Sequence, residues 1–331
     1  MATSSNSPES DLPAESRQSL EFRQLFAEIR ERIRSEIRHG RLESASSLAE
    51  QAVSLARRHG EPADIDLAIC NRASILVAQG RGREGVAELR LLLMRGSDPR
   101  IQLQAADSIS GWHAHQDQVS RALFYARLAL DHAESLGELD ARIKTHNNLG
   151  QLSLRDSRFA DARDHFRTAL ELMGGDTLAD GSLGADGNLG LSRAVVLSNL
   201  AYCECMEEEI EAAFAHAFQS LRGMLRADVG SWEMYPRLVL SHAYLDIGRY
   251  SRSIRHARRG LELADRPDGN DEWVKNALYL LGEAEKLRGH TLEAYDHFSD
   301  LQGRFYPDEP FIVSLLMTTD IRGMINLMAK A

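Results

Sequence analysis

The segment THNNLGQLSLRDSRFADARDHFRTALEL, residues 145–172, has apolar residues at helical spacing but small residues where a packed helix usually carries large ones. Gly150, Ala162 and Ala169 are these small residues. Small side chains allow two helix backbones to approach each other closely. The segment therefore predicts two helices joined by a tight turn, with the small residues as sockets for a neighbouring helix.

The spacing of this segment recurs along the chain. Counted from Gly150, a turn residue comes seven positions later, a small residue twelve later, an apolar residue sixteen later and a small or apolar residue nineteen later. Seven anchors follow this rule, each with a small residue in the twelve-later position: Ile33, Ala73, Ser110, Gly150, Ala201, Ser241 and Gly282. Where the turn residue is glycine, it predicts a left-handed end to the first helix. Internal repeats of this length predict a solenoid.

The motif NNLG at 147–150, followed by Phe159, Ala162, Phe166 and Ala169, resembles the signature of the tetratricopeptide repeat family. The two phenylalanines are expected to fill the space between one hairpin and the next. Successive anchors lie mostly 37–41 residues apart, and the closing proline of the family is missing. This longer period is similar to that of kinesin light chains and of large bacterial signalling and transcription proteins. HEAT repeats have a similar period and are the alternative fold.

The resemblance implies an all-α, right-handed superhelical solenoid of about seven helical hairpins with a C-terminal capping helix. Residues 1–19 are polar and are expected to form a disordered tail, and the solenoid is assigned to 20–306. A Gly/Asp-rich stretch at 174–190 is expected to be a flexible loop insertion, with an ion site or a partner-gated flap as alternatives. Residues 307–331 are assigned to a capping or interaction helix.

Composition argues against several classes of function. The chain has 331 residues, a net charge of −10 and no run of eighteen apolar residues, so neither nucleic-acid binding nor a membrane span is predicted. The first residues lack the apolar core of a secretory signal, and three cysteines cannot form a disulfide framework, so a cytoplasmic location is expected.

Signals for catalysis or for a cofactor are weak. His113 and His115 are two residues apart and so lie on nearly opposite helix faces, which does not suit a metal pair. Cys203 and Cys205 have the same spacing and are expected to be small buried hydrophobes. No nucleophile elbow, phosphate loop or dinucleotide-binding start is present, so the sequence predicts neither an enzyme nor a cofactor or metal site.

The first helix of each hairpin is expected to line a concave groove. Asn71, Asn148 and Asn199 all lie two positions before an anchor, and an amide can bind the backbone of an extended peptide whatever its side chains are. The alternative is that these amides bond to neighbouring helices or to water. By the same geometry, the other predicted groove residues are Arg34, Arg38, Lys144, Asn147, Gln151, Arg155, Tyr202, Tyr235, His242, Tyr279 and Glu283.

These patterns predict a non-catalytic scaffold, adaptor or regulatory subunit that binds a protein or peptide. The alternative is a ligand sensor, in which a signalling peptide or small molecule in the groove changes binding to a second partner. The lysine/asparagine/arginine clamp of chaperone-binding family members is not found in consecutive repeats, so binding of an acidic chaperone tail is not predicted.

The last apolar stretch, FIVSLLMTTDIRGMINLMAKA, follows Pro307 and Pro310. As a single helix it would be apolar on nearly all sides, so one face could cover the last hairpin while the other remains exposed. We expect this end to mediate self-association or to dock on an obligate partner through Leu316 and Leu327. The alternative is that the helix folds back into the groove and hides both faces.

Overall fold

The structure is a computed structural model, which describes residues 14–96, 98–174, 187–227, 230–266, 270–322 and 326–327. The described residues form α-helices and one short 3₁₀ helix, Gly230–Glu233, and they contain no β-strand. The chain divides into two compact units, residues 1–138 and 139–331. The first unit holds three helical hairpins, whose helices are α1 (Ala14–Arg38), α2 (Leu42–His59), α3 (Pro62–Ala78), α4 (Gly82–Arg95), α5 (Pro99–His115) and α6 (Val119–Leu136).

The second unit holds four hairpins and a final short helix. Its helices are α7 (Leu139–Arg155), α8 (Phe159–Leu172), α9 (Gly187–Met206), α10 (Ile210–Arg226), α11 (Met234–Asp246), α12 (Tyr250–Ala264), α13 (Asp271–Leu287), α14 (Thr291–Phe305) and α15 (Phe311–Thr318). In both units each helix packs on the next along the chain. First helices of successive hairpins also contact each other, as α3 and α5 do in the first unit and α7, α9, α11 and α13 do in the second.

The turns within the hairpins lie where the repeat places them. All seven residues that follow an anchor by seven positions have a positive φ, from 55° to 84°. Four are glycines, for which this conformation has little steric cost, and three carry side chains: Asp117, Ser157 and Glu208. The predicted left-handed end of the first helix is therefore confirmed, also where the residue is not glycine.

The small residues make the close contacts that the spacing predicts. Ser110 Oγ donates a hydrogen bond to the Ala122 carbonyl twelve positions later, at 2.9 Å. Ser241 makes the same contact with Ser253, at 3.0 Å. The ring of Phe166 lies directly over Gly150, where an added Cβ would lie 2.6 Å from a ring carbon.

The two phenylalanines of the opening segment have different positions. Phe166 fills the space above Gly150 inside its own hairpin. Phe159 does reach the next hairpin, where its ring contacts Tyr202 edge-on with the centroids 6.2 Å apart. Phe298 repeats the arrangement of Phe166 over Gly282.

Packing differs between the units. The first unit has two separate apolar clusters, one around α1–α3 and one around α3–α5. In the second unit a single cluster runs from Ile143 in α7 to Leu316 in α15. A network of ion pairs also joins hairpins there, since Arg163 lies 2.6 Å from Glu207 and 3.0 Å from Glu209 of the following hairpin.

Three predicted boundaries change. Helix α1 begins at Ala14, so 14–19 are helical, as the helix-forming residues Ala, Glu and Arg there favour; 1–13 lie outside the described residues. Helix α9 already begins at Gly187, and the rest of the predicted insertion, 175–186, lies outside the described residues as well.

The third boundary is the end of α15, which stops at Thr318 instead of continuing through the C-terminal stretch. Thr318 bonds through its hydroxyl to the Ser314 carbonyl at 2.8 Å, and Thr319 is extended. The Asp320 side chain accepts from the amide of Arg322 at 3.1 Å, a local bond that competes with helix. The predicted long capping helix is therefore wrong for the described residues after Thr318, which are 319–322 and 326–327.

Candidate functional site

All the predicted groove residues lie on the first helices of hairpins, as the repeat geometry requires. Arg34 and Arg38 are in α1 and Asn71 is in α3, so these three belong to the first unit. The others lie on α7, α9, α11 and α13 of the second unit. The predicted row of asparagines is thus divided between two units, each of which has its own candidate site.

In the first unit, α1, α3 and α5 line an open pocket of about 420 Å³. Arg30 and Arg34 stand one helical turn apart on its α1 side. Burial, followed by the positive charge of Arg34, lowers the pKa of Arg30, while the nearby Asp64 opposes the shift. Two guanidinium groups that repel each other in a partly buried pocket favour an anionic group between them.

Amides and hydroxyls form the other side of this pocket. The Gln104 amide donates to Asn71 Oδ1 at 2.9 Å, which orients Asn71 with its own NH₂ group still able to donate. Ser74 and Ser108 hydroxyls lie 2.8 Å apart on the same helices. Arg34 pairs with Glu31 at 3.3 Å, but both side chains are more than half exposed, so this pair is weak. The side chain of Arg38 lies outside the described part of the structure.

In the second unit the chain's own C-terminal segment, residues 319–322 and 326–327, lies against the first helices. The amide of Leu327 donates to the Tyr202 hydroxyl at 2.9 Å, and its carbonyl accepts from the Asn276 amide. Asn326 donates to the Leu154 carbonyl and, at 3.2 Å, to the Ser157 hydroxyl. These bonds hold both backbone polar groups of Leu327 with side chains of α9 and α13.

Lys286 binds the chain where the C-terminal segment leaves α15. Lys286 Nζ donates to the carbonyls of Leu316 at 2.7 Å and Thr319 at 3.1 Å. It also lies 2.7 Å from the carboxylate of Glu283, which is fully buried. Burial raises the pKa of Glu283, and the Lys286 charge opposes the shift. Lys286 therefore satisfies the last carbonyl groups of α15 and places its charge next to a buried carboxylate.

The first helices α7, α9, α11 and α13, against which the C-terminal segment lies, form the groove of the second unit. The guanidinium of Arg322 lies in an acidic site in this groove. It is 2.7 Å from Asp320 and 3.6 Å from Asp246, and Asp246 also lies 3.1 Å from His242. The bond from Arg322 lowers the pKa of Asp320 to about 2, and the same bond raises the pKa of Arg322. A pocket of about 830 Å³ opens beside these groups, with Glu208 also on its wall.

Several predicted groove residues of the second unit are buried inside the protein. They lie on the groove side but are buried, with exposed fractions of 0–6%, instead of facing an external ligand: Asn199, Tyr202, His242, Tyr279 and Glu283. Burial also raises the pKa of the Tyr202 and Tyr279 hydroxyls. The Tyr279 hydroxyl has no hydrogen-bond partner among the described residues.

The two leucines assigned to an exposed docking face are also inside. Leu316 is buried in the apolar cluster of the second unit, and Leu327 packs against the same cluster. The expectation that they lie on an exposed surface is therefore wrong in this conformation, because α15 packs on α14 and the segment after it lies against α9 and α13. Phe311 and Leu315, on the opposite face of α15, remain exposed.

The remaining predicted residues of the second unit lie towards its first helix. Lys144 and Gln151 are exposed, and Asn147, Asn148 and Arg155 are half-buried. Tyr235 is half-buried between Trp232 and Trp273, with ring centroids 5.5 Å and 4.5 Å away, so it forms part of the packing between hairpins.

Sequence reasoning missed Asn276, Asp246 and Lys286, which contact the C-terminal segment directly. The repeat itself contains the signal for the first two. Asn276 lies six positions before its anchor, like Lys144 and Tyr235, and Asp246 lies five positions after its anchor, like Arg38 and Arg155.

The described residues offer little for catalysis. Cys203 and Cys205 are buried as expected, and burial raises the pKa of both thiols. No group of three or more His, Cys, Asp or Glu residues in the described part of the chain could hold a metal ion. Every helix within the described residues is too short or too polar to cross a membrane.

Comparison with known proteins identifies the fold. No protein-family model matches the sequence, and no curated protein matches it either. Among solved structures, apo RapI superposes with a TM-score of 0.66 at 11% identity, covering 92% of this chain and 84% of RapI. The apo quorum sensor NprR from B. thuringiensis has a TM-score of 0.56 at 14% identity, covering 93% and 89%.

A tetratricopeptide repeat protein from Parabacteroides merdae also matches, with a TM-score of 0.53 at 14% identity, covering 89% of this chain and 98% of that one. At these identities the likeness concerns the fold. The chain has the all-α fold of tetratricopeptide repeat proteins, which confirms the resemblance drawn from NNLG at 147–150 and the alanine positions that follow it.

Proposed function

We propose that the protein is a non-catalytic scaffold, adaptor or regulatory subunit that binds an extended, carboxylate-bearing peptide segment in the groove of its first unit. The observation that carries this proposal is the pocket lined by Arg30, Arg34, Asn71 and Gln104. Its partner is a protein or peptide, not a nucleic acid or a membrane, and its place is the cytoplasm.

Three properties of the pocket support this assignment. The paired guanidinium groups of Arg30 and Arg34 attract a carboxylate, and the NH₂ group of Asn71 can donate to a peptide carbonyl. The apolar side chains of Ile33 and Ile37 lie on the same wall and can bury part of a ligand's side chain. No residue in this pocket has the arrangement of a nucleophile with a neighbouring base, which suits binding without catalysis.

Binding of a short fluorescein-labelled, glutamate-rich peptide tests the proposal by fluorescence anisotropy. We expect Arg34→Glu to weaken binding by at least roughly tenfold, the equivalent of about 1.4 kcal/mol, because it replaces an attraction with a repulsion. Arg127→Glu, on an exposed position of α6 outside the pocket, is the matched control and should leave binding unchanged.

The same peptide with glutamine in place of glutamate should bind more weakly to the wild-type protein. Equal affinity for both peptides, or equal affinity of the wild type and the Arg34→Glu variant, would contradict the assignment of this pocket to a carboxylate-bearing ligand.

A ligand sensor is the second candidate function, and the groove of the second unit favours it. There the C-terminal segment already covers Tyr202 and Asn276, so a ligand must replace a contact that the chain makes with itself. NprR, which shares the fold, is a quorum sensor. A sensor changes a second interaction when its ligand binds, typically by about 1–3 kcal/mol. Measuring partner affinity with and without the ligand separates the two candidates.

A further inference from the structure

The groove of the second unit holds its occupant mainly through groups that any peptide has. Tyr202 accepts from the amide of Leu327 and Asn276 donates to its carbonyl, so both bonds go to the peptide backbone. Bonds of this kind recognise an extended chain independently of its side chains. The occupant belongs to the same polypeptide, but the bonds themselves do not require that.

Charge adds selectivity at the other end of the contact. Asp246 and Glu208 line the pocket beside Arg322, together with Asp320 of the segment itself. The bond to Asp320 is the main cause that raises the pKa of Arg322, and the charges of Asp246 and Glu283 add to it. Lys286, a cation of the same groove, is already paired with Glu283. The acidic groups that remain therefore favour a cation from a ligand, and a guanidinium is suited to planar carboxylate partners.

The groove is larger than the segment that lies in it. The pocket around Arg322 has a volume of about 830 Å³, and a second pocket of about 320 Å³ adjoins Leu327 between Tyr279, Ile312 and Leu315. Arg322 keeps about a quarter of its side chain exposed. A ligand with the same groups and a larger apolar side chain therefore has room that the chain's own segment does not fill.

We propose that the groove of the second unit is a binding site for an extended peptide carrying an arginine and, five positions later, a large apolar residue. Arg322 and Leu327 occupy this site from within the same chain and compete with such a peptide from a partner. This second site rests on the proposed peptide-binding function and has the opposite charge preference: it binds a cationic peptide, whereas the first unit binds an anionic one.

Competition from the same chain has a measurable consequence. A tethered segment acts at an effective concentration in the millimolar range, so it masks the site from a free peptide. The probe is the fluorescein-labelled peptide TDIRGMINL, which has the sequence of residues 319–327. We expect it to bind the full-length Arg322→Ala plus Leu327→Ala protein at least roughly tenfold more tightly than the wild type, because the internal competitor is weakened.

Two further variants test the site itself. Adding Asp246→Asn and Asn276→Ala to this double variant should remove the gain, since the acidic group and the side-chain amide that donates to the peptide backbone are then missing. A probe with glutamate in place of arginine should not bind, and one with phenylalanine in place of the final leucine should bind at least as tightly. Circular dichroism and a thermal melt check that each variant is folded. If Leu327→Ala unfolds the chain, Arg322→Ala alone replaces the double variant.

Equal binding of the probe to the wild type and the variant, or binding that survives Asp246→Asn plus Asn276→Ala, would overturn the inference. A wild-type dimer in light scattering that Arg322→Ala dissociates would also overturn it, because the segment would then belong to the groove of a second copy. The Arg34→Glu variant, which tests the first unit, should bind TDIRGMINL as the wild type does, so failure of either proposal is recognised separately.

Discussion

The first unit leaves Arg30 and Arg34 on an open pocket, whereas the second unit covers the equivalent helices with its own C-terminal segment. The hairpins of both units obey the same spacing, with a left-handed residue in each turn and a small residue twelve positions after each anchor. The repeat thus determines the hairpin, while the residues outside the repeat determine whether the groove is accessible. The burial of Tyr202 shows this, because the residue lies on the groove side and yet is 1% exposed.

The apolar packing of the two units differs as well. Two separate apolar clusters stabilise the first unit, and one cluster that reaches α15 stabilises the second. We expect the second unit to resist unfolding more as a whole, and substitutions in its centre to affect every hairpin in it.

Removing the buried ring of Phe166 or Phe298 should have the largest effect. Each ring is fully buried and fills the space above a glycine, so Phe166→Ala or Phe298→Ala should lower the free energy of unfolding by about 3–5 kcal/mol. Urea unfolding followed by circular dichroism measures this change. Phe124→Ala, whose ring is 63% exposed in the first unit, is the control and should change stability little. A comparable loss in Phe124→Ala would contradict the account of where the core lies.

Acidification should destabilise the second unit through His256. Burial, followed by the charges of Arg237 and Arg255, lowers the pKa of His256 to about 4. Because the pKa of His256 is lower in the folded than in the unfolded state, protonation of this side chain favours unfolding. The fold is therefore most stable above the unfolded pKa, near 6.5, and it loses stability as the pH falls from there towards the folded pKa. At about 1.4 kcal/mol per unit of pKa, His256 should account for a loss of about 3 kcal/mol between these two pH values.

His256→Phe keeps a ring stacked on Tyr244 but cannot titrate, so its unfolding free energy should depend less on pH over that range. His113 of the first unit also has a lowered pKa, caused by burial, although its Nδ1 is bonded to Gln118 at 2.9 Å. Urea unfolding at several pH values compares the two. A pH dependence that is unchanged in His256→Phe would show that other groups carry it.

The sequence was sufficient to predict the hairpins, because small residues and turn residues recur at fixed distances and each has a direct steric consequence. It also placed the groove residues on the correct helices. It could not show that Tyr202, Tyr279 and Glu283 are covered, because that depends on where residues far along the chain return. Helical periodicity at 311–331 suggested one long helix, but Thr318, Thr319 and Asp320 form local bonds that end it.

The sockets can be tested by filling them. A Cβ on Gly150 lies 2.6 Å from the ring of Phe166, so Gly150→Ala forces the ring to move and should destabilise the second unit by about 1–3 kcal/mol. Gly303 in α14 has open space around it, so Gly303→Ala should instead stabilise by about 0.5–1 kcal/mol, the usual helix preference. In the first unit, Gly82 lies against Trp112 and Gly111 is open, which provides a second matched pair.

Urea unfolding should show that Gly150→Ala lowers the free energy of unfolding and that Gly303→Ala raises it. Such opposite changes would confirm that the small residues are packing contacts. If Gly150→Ala and Gly303→Ala both stabilised the protein, the ring of Phe166 would not lie where the structure has it.

The smallest expected effect concerns the turns that use a residue other than glycine. Glu208 in the second unit has φ 63° and Asp117 in the first has φ 55°. A left-handed conformation costs an ordinary residue about 1–2 kcal/mol, and glycine avoids this cost while losing about 0.5–1 kcal/mol through its greater freedom in the unfolded chain. Glu208→Gly should therefore raise the free energy of unfolding by about 0.5–1 kcal/mol.

Aspartate tolerates this conformation better, so Asp117→Gly should change stability less. Thermal melts of both variants measure the difference. A loss of stability in Glu208→Gly would mean that its side chain, on the wall of the acidic pocket, makes a contact that outweighs the strain of the turn.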